Sequence, residues 1–194
     1  MKHEIPNHIF KAYDIRGIYP DEIDEETAYK IGSAYITLIK EEYKNQKLTV
    51  AVAYDMRTSS PQLKKFWIKG LTDQGANVVE IGLASSPTFY FAVANYGYDG
   101  GIQVSASHNP KEYNGFKLAV GFSDTMITEE IQQFKQIAKK GNFVKPKKKG
   151  KLTKDNIFDH YRKDILKRVP EEYNFKVVID GGNCTPGKFV PDIL

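Results

Sequence analysis

The stretch from Leu48 to Ile81, LTVAVAYDMRTSSPQLKKFWIKGLTDQGANVVEI, contains one full strand, helix and strand cycle. Leu48 to Ala53 is a short apolar, β-branched run of the kind a buried strand requires. Ser60 followed by Pro61 predicts an N-cap and first helical position. Leu63, Phe66, Trp67 and Leu71 then recur at the spacing of one helical face, and Gly75 predicts the stop. Val78 to Ile81 starts the cycle again. Ser86-Pro87 opens a second helix carrying Phe89, Tyr90, Val93 and Ala94, Gly97 ends it, and Gly101 to Val104 reads as the next strand. Strands alternating with helices at this rhythm predict a three-layer α/β/α domain with a mixed, largely parallel sheet.

Working outward, Ile9 to Ile15 is strand-like and runs into Arg16-Gly17, read as a turn at a strand end. Asp24 predicts the cap of a helix to Lys44, with Ala28, Ile31, Tyr35, Leu38 and Ile39 on one face. On the other side, Asn114-Gly115 is a turn signal, followed by an antiparallel strand through Phe116, Leu118 and Val120. Thr128 predicts the cap of a helix with Ile131, Phe134, Ile137 and Ala138 inward, ending at Gly141. The Lys-, Pro- and Gly-containing stretch that follows is the expected boundary: a first domain over 1–140, a basic linker over 141–152, and the incomplete start of a second α/β domain over 153–194. That last part predicts a helix from Asp155 to Arg168 stopped by Pro170, a buried strand from Phe175 to Ile179, and a helix start at Thr185-Pro186. A strand and helices without neighbours cannot bury their apolar faces, so the chain is expected to end inside that second domain.

Composition narrows the function classes. The 194 residues are 41% hydrophobic and 27% charged, an ordinary globular balance. Lys and Arg number 28 against 24 Asp and Glu, for a formal net charge of +4, and much of the excess lies in KPKKKGK, Lys145 to Lys151. That run reads as a solvated linker rather than a nucleic-acid contact, because no aromatic-studded RNA motif or recognition helix accompanies it. Cys184 is the single cysteine, which excludes an internal disulfide and a thiolate metal cluster. His3, His8, His108 and His160 lack ligand spacing. No apolar run reaches membrane-spanning length and MKHEIPNHIF is not a signal peptide, so a cytoplasmic protein without a membrane partner is expected.

Chemistry gathers in Gly101 to Lys117, GIQVSASHNPKEYNGFK, where an apolar run empties into a polar loop. Ligands of open α/β sheets bind beyond the carboxyl ends of the strands, and Arg16, Arg57 and Ser107 all follow predicted strands, which puts them on one rim. Three readings of the loop stand side by side. A Ser-His hydrolase is disfavoured, because adjacent residues in an extended loop point apart and no G-x-S-x-G elbow is present. A structural turn would use Ser107 and Asn109 to satisfy backbone groups. In the third reading Ser107 accepts a phosphoryl group, with Arg16, Lys117 and His108 as cationic or hydrogen-bonding partners.

Taken together, YDIRG at Tyr13 to Gly17, DMRTSSP at Asp55 to Pro61 and SASHNPKEYNGFK at Ser105 to Lys117 resemble the first domain of the α-D-phosphohexomutases, the phosphomannomutase/phosphoglucomutase family, and FKAYDIRG and YNGFK most resemble its bacterial branch. VVIDGGN, Val177 to Asn183, resembles the start of that family's second domain. The resemblance implies that Ser107 carries the phosphoryl group and offers one of its oxygens to a Mg²⁺ ion. His108 and Asn109 match its loop neighbours, Lys117 an acid/base lysine, and Arg16 an arginine that contacts the site, with Tyr13 alongside. Arg57, Ser59 and Asn114 support the loop, and Asp55 is open between a structural and a functional role. The implied reaction interconverts hexose 1-phosphate and hexose 6-phosphate through a hexose 1,6-bisphosphate. Family members have four domains, and the acidic Mg²⁺ loop, sugar-selecting loop and phosphate-binding loop of the later ones are absent here. Cys184 stands where the family usually has glycine. The chain alone is therefore expected to be inactive, its partners being a phosphosugar and the missing domains or a carboxyl-terminal chain; the alternative is a non-catalytic phosphosugar-binding or assembly module.

Overall fold

Alternation along one strand shows how the layers are built. In β2 (Thr49–Tyr54), Val50 and Val52 turn to one side of the sheet and Ala51 and Ala53 to the other, and all four are fully buried. The branched pair meets α1 (Glu25–Glu42), α2 (Ser60–Asp73) and α4 (Thr128–Lys140), while the alanines leave room for α3 (Ser86–Asn95) on the opposite face. The computed structural model describes residues 4–42, 47–122, 124–143, 146–169 and 174–194. Expected boundaries at Lys44, Lys145 and Pro170 lie outside them.

The other strands are β1 (Asp14–Ile18), β3 (Asn77–Leu83), β4 (Gly100–Val104), β5 (Tyr113–Val120), β6 (Asp124–Thr125) and β7 (Leu152–Lys154). They form a sheet of order β1-β5-β4-β2-β3-β7, with β6 paired to β5. Among the described residues only β5 runs against the rest, so the sheet is mixed, with β4, β2, β3 and β7 parallel neighbours. The α/β/α expectation is met. No helix among the described residues is long and apolar enough to cross a membrane.

Aromatic rings join the layers on the larger side. Trp67 of α2 sits edge-on to Tyr35 of α1 at 6.1 Å and to Phe116 of β5 at 5.1 Å. The Tyr35 hydroxyl donates to the Ala119 carbonyl at 2.5 Å and accepts from the Gly101 N–H at 3.0 Å. It thereby stitches α1 to the β4–β5 seam. On the α3 side, a Cβ at Gly101 would fall 2.5 Å from Val93 and 2.7 Å from Phe89, so glycine there sets the helix-to-sheet distance.

Several local expectations shift. Ile9 to Ile15 is not a strand: Asn7–Ile9 is one 3₁₀ turn, and β1 starts at Asp14 and carries Arg16-Gly17 in its middle. Asn114-Gly115 is not the reversal either. Both lie inside β5, opposite Gly17 and Arg16, and the chain turns back before them, over 107–112. Tertiary contacts override the turn signal, because the buried Asn114 side chain finds hydroxyl partners and Gly115 lets the Ile15 carbonyl pass close. The α2 cap moves back one residue to Ser59, since Ser60 gives its hydroxyl to Asp55, whereas α3 opens at Ser86-Pro87 as expected, after Ser85. Ile127 rather than Thr128 precedes α4, its N–H donating to Glu130. Asp24 does cap α1, accepting from Thr27 N–H at 2.8 Å.

The basic stretch is no free linker. Gly150 N–H donates to the Thr72 carbonyl, Lys149 pairs with Asp73 at 2.6 Å, and Leu152–Lys154 joins the sheet beside β3. The first sheet therefore extends to Lys154, past the expected boundaries at 140 and 152. Beyond it lie α5 (Phe158–Leu166) and α6 (Pro186–Phe189), the latter after Thr185 as expected. Phe175 to Ile179 forms no strand among the described residues, and Val178 is 96% exposed. An apolar run becomes a buried strand only when neighbours pair with its edges and cover its faces.

Two outcomes follow from this packing. Tyr35→Phe removes the shared partner of two buried backbone groups and is expected to lower stability by about 1–3 kcal/mol in denaturant titration. Asp73 is held down to about 2, first by Lys149 and then by Lys69. Its stabilisation is therefore complete above the ordinary value of 3.8 and is lost as the pH falls through about 2. Both lysines are more than half exposed (75% and 57%), so screening trims the gain. Asp73→Asn should cost about 1 kcal/mol at neutral pH, less in high salt, and progressively less as the pH falls through the folded-state value, read from melting across a pH series.

Candidate functional site

Beyond the carboxyl end of β4 the chain leaves the sheet through Ser105 and Ala106, both buried, and emerges at Ser107 and His108, both exposed. Ser107 adopts φ +56°, a left-handed conformation that costs a non-glycine residue energy and persists only where its surroundings enforce it. Its N–H is held by the Ser105 hydroxyl at 3.0 Å. One guanidinium supplies most of the remaining constraint. Arg57, three residues past β2, donates to the carbonyls of Ser107 (3.1 Å), Asn109 (2.6 Å), Pro110 (2.6 Å) and Tyr113 (2.9 Å). A planar five-donor fork suits such a task; a lysine ammonium could not span it.

Arg57 is itself fixed by Asp55, whose carboxylate lies 3.3 Å from Nε and accepts from the Arg57 N–H at 3.1 Å and the Ser60 hydroxyl at 2.6 Å. Asn114 closes the bracing. Its amide donates to the hydroxyls of Ser59 (2.7 Å) and Ser60 (3.0 Å), and its Oδ1 accepts from the Gly115 N–H. Arg57 thus holds the loop carbonyls directly, Ser59 and Asn114 join the same network, and Asp55 contacts Arg57 and Ser60.

Arg16 reaches the loop from the neighbouring strand. Asp14, 3% exposed, takes its Nε at 2.7 Å and NH2 at 2.6 Å, which leaves NH1 to donate to Asn109 Oδ1 at 2.9 Å. Arg16 faces Gly115 across the ladder, where the missing side chain makes space for its stem. Tyr13 stands just before β1 with 56% of its surface exposed. Lys117, half-buried on β5, donates to the Ser86 hydroxyl at 3.1 Å rather than to Ser107. Burial, followed by the charge of Arg16, pulls its pKa below the ordinary lysine value, with Asp14 and Asp55 opposing.

The structure therefore draws Ser107, Asn109, Arg16, Arg57, Ser59 and Asn114 into one connected rim and sets Lys117 on an adjoining polar row, opposite the Asp14 that holds Arg16. Asp14, Ser86 and Gln103 were not singled out as site residues by the sequence; Asp14 and Arg16 sharing a strand face, two residues apart, was the available signal. Asp14 is committed to Arg16 and Asp55 to Arg57 and Ser60. Among the described residues no three His, Cys, Asp or Glu side chains gather to hold an ion. Among the described residues, then, this chain's own side chains do not make up a ligand set for the Mg²⁺ that the resemblance implies.

Comparison with known proteins bears on this rim. Residues 7–145 match the family described as "Phosphoglucomutase/phosphomannomutase, alpha/beta/alpha domain I". The chain is 37% identical over 190 residues to a phosphomannomutase/phosphoglucomutase of Pseudomonas syringae pv. tomato, covering 98% of this chain and 40% of that protein. It is 36% identical to a phosphoglucomutase of Neisseria meningitidis, covering 95% and 39%. A crystal structure of a phosphoglucomutase/phosphomannomutase family protein from Burkholderia thailandensis superposes with a TM-score of 0.86 at 31% identity, over 97% of this chain and 42% of that one. The chain thus spans about two fifths of the length of the relatives it matches. With domain I matched across the whole rim and relatives aligned over almost every residue, this chain belongs to the phosphoglucomutase/phosphomannomutase family.

Proposed function

We propose that the chain supplies the phosphoserine wall of a phosphohexomutase that interconverts hexose 1-phosphate and hexose 6-phosphate through a hexose bisphosphate. The observation that carries this reading is the conformation of Ser107. It is an exposed hydroxyl at φ +56° on a loop whose carbonyls are taken up by a single guanidinium, beside an arginine aimed by a buried carboxylate. A structural turn needs none of that restraint on an exposed serine. A phosphoryl carrier does, because the transfer is accelerated chiefly by positioning and by cations around the phosphoryl oxygens.

In this reading a hydroxyl oxygen of the hexose monophosphate bonds to the phosphorus on Ser107, and the bond from phosphorus to Ser107 Oγ breaks with its electron pair left on Oγ. The hydroxyl proton passes to the free amine of Lys117, whose lowered pKa raises the fraction able to accept it. Reorientation of the bisphosphate and the reverse transfer return phosphate to Ser107. Arg16 steadies the phosphoryl oxygens, and exposed His108 lies within the same loop. Were further domains to hold a Mg²⁺ ion beside Ser107, it would supply charge neutralisation at the phosphoryl group. The remaining walls come from further domains or a partner chain, and the isolated chain turns over little. The short span relative to its relatives also suits a module that binds phosphosugar without catalysis; phosphoryl uptake separates the two.

Incubation with glucose 1,6-bisphosphate and Mg²⁺ should add one phosphoryl group by intact mass, mapped to Ser107 and absent from Ser107→Ala. Phosphate on a different residue, or none, overturns the assignment. Arg57→Ala should slow that uptake by about tenfold to a hundredfold at unchanged circular dichroism, because the loop carbonyls lose their common donor. Arg57→Lys should recover little of it, since a point cation cannot span four carbonyls.

A further inference from the structure

Lys117 does not stand alone. Across the sheet it is directly opposite Asp14 on β1 and Gln103 on β4, so the three side chains form one polar row on the α3 face. Gln103 is 1% exposed, an unusual place for an amide unless its partners are assigned. Its Nε2 lies 2.9 Å from the Ala84 carbonyl and its Oε1 2.7 Å from the Ser86 hydroxyl.

The direction of each hydrogen bond from Ala84 through Gln103 and Ser86 to Lys117 is forced. A carbonyl only accepts, so the Ala84 oxygen must face the NH₂ of Gln103; the flipped amide would set two acceptors against each other. Gln103 Oε1 therefore points at Ser86 and takes the single hydroxyl proton. Ser86 Oγ then has only lone pairs left for Lys117, whose nitrogen lies 3.1 Å away. Lys117 must give an N–H to Ser86 in either protonation state. The hydrogen bond to Ser86 therefore fixes one N–H of the lysine and leaves its other positions uncommitted to Ser86. Arg16, Asp14 and Asp55 are the charged groups that act on it.

We propose that Ser86 and Gln103 are positioning residues for Lys117, a polarity-locked hydrogen-bond chain that anchors its nitrogen as a donor and keeps its lone pair turned away from Ser86. The proposal rests on the acid/base role given to Lys117 above, yet its test needs no turnover. The helix start at Ser86 and the strand at Gln103 come from separate elements, and neither touches the Ser107 loop in the contacts described. Removing the Ser86 acceptor withdraws a hydrogen bond that favours the ammonium. Removing Gln103 frees the Ser86 proton to be donated to the lysine lone pair, which favours the free amine. Both changes move the Lys117 titration in the same direction.

The experiment is the pH dependence of Lys117 acetylation by trace acetic anhydride in the whole chain, read by peptide mass spectrometry against the exposed lysines as internal standards. Ser86→Ala and Gln103→Leu should each shift the Lys117 midpoint to lower pH by roughly one unit, about tenfold in free amine at a given pH. Ser86→Thr, which keeps the hydroxyl, should hold the wild-type midpoint. An unchanged midpoint in Ser86→Ala, or a Ser86→Thr shift as large as that of Ser86→Ala, overturns the proposal. Should Gln103→Leu disturb the core, the two Ser86 variants still decide, because Ser86 lies at the helix start and is only partly buried. Failure of phosphoryl uptake at Ser107 would overturn the functional reading and leave this titration untouched.

Discussion

Most of the site depends on the saturation of one guanidinium by four backbone carbonyls. A loop leaving a parallel strand must find donors for carbonyls that no longer pair in the sheet. Arg57 answers for Ser107, Asn109, Pro110 and Tyr113 together, and in doing so makes one loop conformation far cheaper than its competitors. The strained backbone at Ser107 is tolerated because that contact, the Ser105 hydroxyl and the Asn109-to-Ala106 turn all require it. Asp55 and Ser60 extend the constraint into α2, so the loop is braced against a helix rather than against solvent.

Charge is arranged with comparable economy. The two arginines at the rim are each tied to one aspartate, Arg16 to Asp14 and Arg57 to Asp55, which fixes where each fork points. Arg16 keeps a nitrogen for Asn109, whereas Arg57 is consumed by backbone. Lys117 instead donates to Ser86 on a glutamine- and serine-bound row, and burial is the largest influence on its electrostatics, ahead of Arg16, Asp14 and Asp55. A fixed cation suits a phosphoryl oxygen, and a lysine whose proton is loosely held suits a hydroxyl.

Much of this was legible in residue order. The strand and helix rhythm from Leu48 to Val104 and the Asp24 cap lie where local pattern put them, because each depends on neighbours a few residues away, and the polar loop of Ser107, His108 and Asn109 follows from where β4 ends. Arg16-Gly17 and Asn114-Gly115 were misread as turns for one shared reason. They pair with each other across β1 and β5, about a hundred residues apart in the chain, and that pairing outweighs glycine's local preference. The described lysines of the basic stretch are exposed, as their charge suggested, yet Asp73 and the Thr72 carbonyl hold Lys149 and Gly150 against the edge of the sheet, which charge alone did not show.

Sequence by itself determined the layered α/β class and the polar loop at a strand end and offered Ser107, Arg16, Arg57 and Lys117 as candidates, since periodicity and residue chemistry are local properties. Tertiary structure alone decided what those groups do to one another. It turned Arg57 into the loop's clamp, aimed Arg16 through Asp14, and removed Lys117 from the loop to a buried row with Ser86 and Gln103. The physical reason is that hydrogen-bond direction and burial are set by which strands lie side by side, and strand order is a long-range property.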